Sequence, residues 1–156
     1  MENESGKKDD VSTLTKLGSN ETNYEFDKPC VAMLQTFANT TPGRDYKIAL
    51  TFPEFTSLCP KTKQPDFATI NVEYVADKLC VESKSLKLYF FAYRNEGSFM
   101  ETITNQILDH LVEACDPRWM KVTGAFNARG GLFINVTATY EKMMEKDSVA
   151  SDGGRI

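Results

Sequence analysis

The sequence is short of the residues that metal sites and disulfide frameworks need. Its 156 residues include four cysteines and a single histidine, His110. Cys30, Cys59, Cys80 and Cys115 are widely and irregularly spaced, with no Cys-x-x-Cys pair. That is poor zinc spacing and a weak basis for disulfides, so no metal is expected and a reducing compartment leaves thiols available for chemistry. No apolar run is long enough to cross a bilayer, and the first ten residues lack the apolar stretch of a secretory signal. The expected location is the cytoplasm, away from membranes. Positive charge is also in deficit: 18 Lys and Arg against 22 Asp and Glu give a net charge of -4. Gripping a phosphate backbone requires a basic surface, so no direct nucleic-acid partner is expected. A free base or nucleotide needs only a local site.

What is present fits one domain. Hydrophobic residues make up 41% and charged residues 26%, ordinary globular usage in a chain too short for two full cores. Residues 1–24 are polar and aperiodic, and residues 141–156 turn charged and then Gly-rich. Both read as flexible tails around a single domain at 25–140.

Within that domain Tyr46, Ile48, Leu50 and Phe52 alternate with Lys47, Ala49 and Thr51, the period of a half-buried strand. Pro53 is expected to end it and open a loop that lasts to Phe67. Ile70, Val72 and Tyr74 mark a second strand. From Ser83 the period changes, and Leu86, Tyr89, Phe90 and Tyr93 form one stripe of a helix with a glycine stop at Gly97. A second helix is expected from an N-cap at Ser98, with Ile103, Ile107, Leu111 and Ala114 on its inner side and Asp116-Pro117 at its end. Two more alternating runs follow: Met120, Val122 and Gly124, then Leu132, Ile134, Val136, Ala138 and Tyr140. The order ββααββ predicts an α+β fold, an antiparallel four-stranded sheet with two helices on one face. The edges of such a sheet need managing, and controlled oligomerisation does so.

Three segments carry residues suited to chemistry. In Pro53–Phe67, Cys59 is either a small buried hydrophobe or a nucleophile. Pro60 and Pro65 stiffen the segment, and Asp66 can lean back toward the sulfur as a proton donor, which is the minimum equipment for attack on an electrophilic carbon. In Val81–Tyr89, Lys84 and Lys87 are either the solvated side of a helix or, with the free amides of the helix start, an anion site. In Gly97–Glu101, Glu101 either favours the helix dipole or accepts paired hydrogen bonds from a guanine-like edge.

Thr56-Ser57-Leu58-Cys59-Pro60 with Gln64-Pro65-Asp66-Phe67-Ala68, then Glu82-Ser83-Lys84-Ser85-Leu86-Lys87-Leu88-Tyr89, then Arg94-Asn95 ahead of Phe99 and Glu101, together resemble the QueF family in its short, single-module form. The resemblance runs from about Leu17 to Tyr140 and includes Arg129-Gly130-Gly131. It implies the tunnelling fold, in which subunits join edge to edge into a barrel, here two stacked pentamers with sites between neighbouring subunits. It also implies NADPH-dependent reduction of the nitrile of 7-cyano-7-deazaguanine to an aminomethyl group, in queuosine biosynthesis for tRNA modification. Cys59 would form a thioimide with the nitrile carbon and Asp66 would supply a proton. Glu101 would hold the base, Val81, Glu82 and Ser83 would line its pocket, and Lys84 and Lys87 would meet the phosphates of NADPH.

Two positions depart from the family pattern. Met100 stands where a histidine usually precedes the glutamate; methionine packs against a flat ring but donates no proton. His110 is about 15 Å along the same helix and reads as a partly exposed surface residue. Lys63 stands where a glycine usually precedes Gln-Pro-Asp, and an ammonium near Cys59 would favour thiolate. Two alternatives accompany the reductase: an amidinotransferase-like enzyme that passes the thioimide to ammonia or water, and a nitrile-binding protein with little turnover because of Met100. The remaining cysteines are assigned to packing.

Overall fold

A computed structural model describes residues 28–143. A 3-10 turn at Val31–Met33 leads into β1 (Thr36–Ala38), followed by β2 (Lys47–Leu58), β3 (Pro65–Val75) and β4 (Leu79–Val81). Helix α1 (Ser83–Ala92) runs into a 3-10 turn at Tyr93–Asn95, then come α2 (Met100–Cys115), β5 (Trp119–Arg129) and β6 (Leu132–Glu141). The long strands form one antiparallel sheet in the order β2-β3-β5-β6, and β1 pairs with β4 in a small second sheet. The α+β class with antiparallel pairing and two helices is as the sequence pattern implies. No helix among the described residues is long and apolar enough to cross a membrane.

Alternation puts Ile70, Val72 and Tyr74 of β3 and Met120, Val122 and Phe126 of β5 on one face, where α1 and α2 cover them. The helices bury Leu86, Tyr89, Phe90 and Tyr93 from α1 and the turn after it, and Ile103, Ile107, Leu108, Leu111 and Cys115 from α2. Cys115 thus takes the inner place assigned to Ala114, which is only half-buried. Gly124 lets α2 approach β5: a Cβ there would lie 2.7 Å from both the Phe126 ring and Thr104 Oγ1. The other face is polar, with Thr51 donating to Asn71, Thr123 meeting Thr137, and Glu73 paired with Lys47 and Lys121.

Three local expectations are corrected. Pro53 does not end β2, because a bulge between Phe52 and Phe55 takes Pro53 and Glu54 out of the ladder and pairing resumes at Phe55 with Ala68. The expected long loop shrinks to residues 59–64. Gly97 is not a helix stop: α1 already ends at Ala92, and Gly97 instead bridges Leu58 in parallel. A Cβ there would meet Lys63 Nζ at 3.1 Å and the Pro60 Cα at 3.5 Å, so the glycine serves close approach. Phe99, not Ser98, is the N-cap of α2, and the Ser98 amide donates to Leu58 O at 3.2 Å.

The N-terminal tail expected at 1–24 lies outside the described residues, as does everything after Met143. Glu141 closes β6, and Lys142 donates to Asp77 and Asp116, so the fold extends past residue 140.

Candidate active site

Shortening the loop brings Cys59 to the end of β2 and Asp66 to the second residue of β3. The turn between them is held at both ends, the Cys59 amide donating to Gln64 O at 2.8 Å and the Lys63 amide to Cys59 O at 3.0 Å. Lys63 sits at φ 60, the left-handed region that glycine occupies without strain. Docking of residues 96–98 against Leu58 then sets the first turn of α2 beside this hairpin.

The result is a cavity of about 220 Å³ onto which Cys59, Asp66, Met100, Glu101 and Arg129 all open, with Phe99 and Ile134 among its apolar walls. The Cys59 thiol is pulled down to about 6 by the Thr62 hydroxyl, the amides of Thr62 and Lys61, and the Arg129 guanidinium, which together stabilise the thiolate. Lys63 is not among those groups; its ammonium lies over Gly97. Asp66 is 5% exposed, and its Oδ1 stands 2.8 Å from Arg129 Nε. Arg129 Nη2 is buried without a hydrogen-bond partner. Glu101 is exposed in the first turn of α2, where Met100 packs against the core.

The second group of expected residues does not reach this cavity within one chain. Val81 is buried in β4, its amide donating to the Tyr74 hydroxyl at 3.1 Å. The Glu82 carboxylate accepts from the amides of Lys84 and Ser85, each at 2.7 Å, and is held below the usual carboxylate range by them. Those two amides in the first turn of α1 are therefore not free for an outside anion. Ser83 and Lys87 border a separate groove of about 170 Å³ with Thr51, Phe52, Leu86 and Phe90. Lys84 and Lys87 are exposed and make no ion pair among the described residues.

Arg129 and Thr62 are the site residues that sequence reasoning left without a role. The only sequence signal for Arg129 was its place before Gly130-Gly131; Thr62 gave none. Cys80 and Cys115 are packed, and burial pushes the Cys115 thiol up to about 12. Cys30 is exposed, so the packing reading fails for it. His110 is tied inward, its Nδ1 2.9 Å from the Tyr89 hydroxyl, which meets the Tyr93 hydroxyl at 2.9 Å; Tyr93 in turn donates to Gln106 Oε1 at 3.2 Å. Burial holds its imidazole below the ordinary histidine value.

A stabilised thiolate sharing a cavity with a carboxylate and an exposed glutamate, on an α+β domain, is the equipment that a cysteine-nucleophile site requires. The model of the family described as "QueF-like protein" matches residues 65–145, from just after Cys59 to past the last strand. The chain is 58% identical over 109 residues to the NADPH-dependent 7-cyano-7-deazaguanine reductase of Nitrosococcus oceani, covering 70% of this chain and 84% of that one. With the protein of the same name from Chlorobaculum tepidum it shares 58% over 113 residues, 72% of this chain and 97% of that one. The chain belongs to the QueF family. Among solved structures, the apo form of an archaeosine synthase QueF-Like superposes with a TM-score of 0.58 at 22% identity, over 63% of this chain and 96% of that one, a likeness of fold.

Proposed function

We propose that this chain is an NADPH-dependent reductase that takes the nitrile of 7-cyano-7-deazaguanine to 7-aminomethyl-7-deazaguanine, in queuosine biosynthesis. The observation that carries the reading is the cavity in which a thiol pulled down to about 6 and a nearly enclosed carboxylate face the same space. Relatives covering most of their own length carry that activity in their names.

In this mechanism Cys59 attacks the nitrile carbon as thiolate. The Sγ–C bond forms while one C–N π bond opens onto nitrogen, and Asp66 in its acid form gives nitrogen a proton, leaving a thioimide. Glu101 accepts from the N1–H and exocyclic amine of the base. Met100 packs against the ring without a proton to give, so Asp66 carries proton donation alone. NADPH, when bound, supplies a hydride, twice for each nitrile. The unpaired ammonium of Lys87 beside an apolar groove, with Lys84 three residues earlier on the same helix, suits a phosphorylated dinucleotide, and both lysines are assigned to its phosphates.

The split between the cavity and the Val81–Lys87 segment supports a site completed by a neighbouring chain, with Val81, Glu82 and Ser83 closing the base pocket from across the interface. β2 and β6 each pair on one side only among the described residues, leaving the long edges a barrel of subunits would join. Two stacked pentamers are the expected assembly.

The test mixes the purified protein with 7-cyano-7-deazaguanine and NADPH and follows nicotinamide absorbance and product mass together. Two NADPH consumed per amine formed is expected, and none with Cys59→Ala. A lasting adduct without NADPH oxidation, or an amidine formed with ammonia, would overturn the reductase.

A further inference from the structure

Two buried side-chain polar atoms among the described residues have no hydrogen-bond partner: Arg129 Nη2, already in the cavity, and Ser57 Oγ. Ser57 is wholly enclosed, at 0% exposure. It lies directly across the β2–β3 ladder from Asp66. Directly paired residues project from the same face, about 4.5–5.5 Å apart at Cβ. Both are buried on the side covered by the helices. A buried hydroxyl left unpaired opposes folding, and alanine would fill the same place in the strand without that cost.

We propose that Ser57 is a positioning residue for Asp66, its hydroxyl donating to the carboxylate that remains once Asp66 has protonated the nitrile nitrogen. The proposal rests on the reductase reading and adds a residue to it. Arg129 engages Asp66 through Oδ1, and a carboxylate has a second oxygen to satisfy. The charged groups facing Asp66 are Arg129 from β5, Cys59 from the turn and Glu101 from α2. Two of these are anionic when ionised, so one guanidinium balances more than one negative charge as the proton leaves. A hydroxyl suits this position because it donates to the carboxylate and accepts from the acid, whereas Arg129 can only donate. Nothing is oxidised or reduced in the step: the Cys59 Sγ pair forms the bond to carbon, one C–N π pair moves onto nitrogen, the proton passes from Asp66 to that nitrogen, and the serine hydrogen stays on its own oxygen.

The experiment compares wild-type protein with Ser57→Ala and Ser57→Cys, measuring the rate of thioimide formation without NADPH against pH. For an acid that must be protonated to act, the rate falls above its pKa. Removing a donor to the carboxylate raises that pKa, so the high-pH limb should move upward by roughly one unit in Ser57→Ala. The pH-independent rate should fall about tenfold, with the weaker thiol donor of Ser57→Cys giving intermediate values. Carbon NMR titration of the Asp66 carboxyl, which needs no turnover, should show the same upward shift. A purely structural serine predicts otherwise: equal or higher thermal stability in Ser57→Ala with an unmoved pH profile and Asp66 titration. That result overturns the proposal and leaves the reductase standing. A wild-type chain that forms no adduct overturns both.

Discussion

Arg129 Nε stands 2.8 Å from Asp66 Oδ1, and the same guanidinium helps to hold the Cys59 thiolate. One cation from β5 thus serves both members of the proposed nucleophile and acid pair. Replacing it with alanine leaves a nearly enclosed carboxylate without its ion partner. Because the Arg129 side chain is itself 38% exposed, the loss is expected at about 1–2 kcal/mol, below that of a fully buried pair. Urea unfolding of Arg129→Ala measures it.

Thiol reactivity follows from the turn that carries Cys59. With the pKa near 6, alkylation by iodoacetamide should be flat at neutral pH and fall about tenfold per unit well below pH 6. Thr62→Val removes the hydroxyl that leads the stabilisation and should move the inflection toward the ordinary thiol range. An inflection that stays near 6 in that variant would remove Thr62 from the site.

Nitrile capture should consume a proton. In the proposed capture the charge of the Cys59 thiolate is lost as the thioimide nitrogen gains a hydrogen; Asp66 delivers that proton and solvent resupplies it. Calorimetry of 7-cyano-7-deazaguanine binding at pH 7.5, in buffers of differing ionisation enthalpy, should report uptake of about one proton. Zero uptake would mean that the resting site already holds the proton, on Cys59 or on Asp66.

Lys63→Gly should stabilise the protein by about 0.5–1 kcal/mol, because Lys63 occupies φ 60 with a side chain that disfavours it. Thermal melting in parallel with the alkylation profile separates this gain from any change at Cys59. Lys63 does not contribute to the thiolate, so that profile should stay in place.

Gly124→Ala should cost about 1–3 kcal/mol, since the new methyl collides with Phe126 and Thr104 where α2 closes on β5. Denaturant midpoints measure the loss.

Periodicity carried most of the fold. The runs Ile70-Val72-Tyr74 and Leu86-Tyr89-Phe90-Tyr93 are buried as their spacing implies, because core-facing side chains repeat with the geometry of their element. Local punctuation misled. Pro53 and Gly97 look like stops, yet a bulge absorbs the proline and the glycine makes room for Lys63 and Pro60. Those are tertiary arrangements that no window of neighbouring residues reports. Cys59, Asp66 and Glu101 were legible as candidates through resemblance, and their shared cavity depends on the bulge and the Leu58–Gly97 docking. Arg129 enters from a strand 63 positions after Asp66, with only the Gly130-Gly131 pair beside it to mark it.

With Glu82 folded back over the start of α1, that helix end is neutralised from within. On the proposed reading, a dinucleotide arriving at Lys84 and Lys87 would meet ammonium groups instead of a ring of amides. Such a grip is soft: it loosens as salt rises and it lets go readily. An enzyme that must exchange one spent nicotinamide for a fresh one in the middle of each catalytic cycle gains from a hold of that kind.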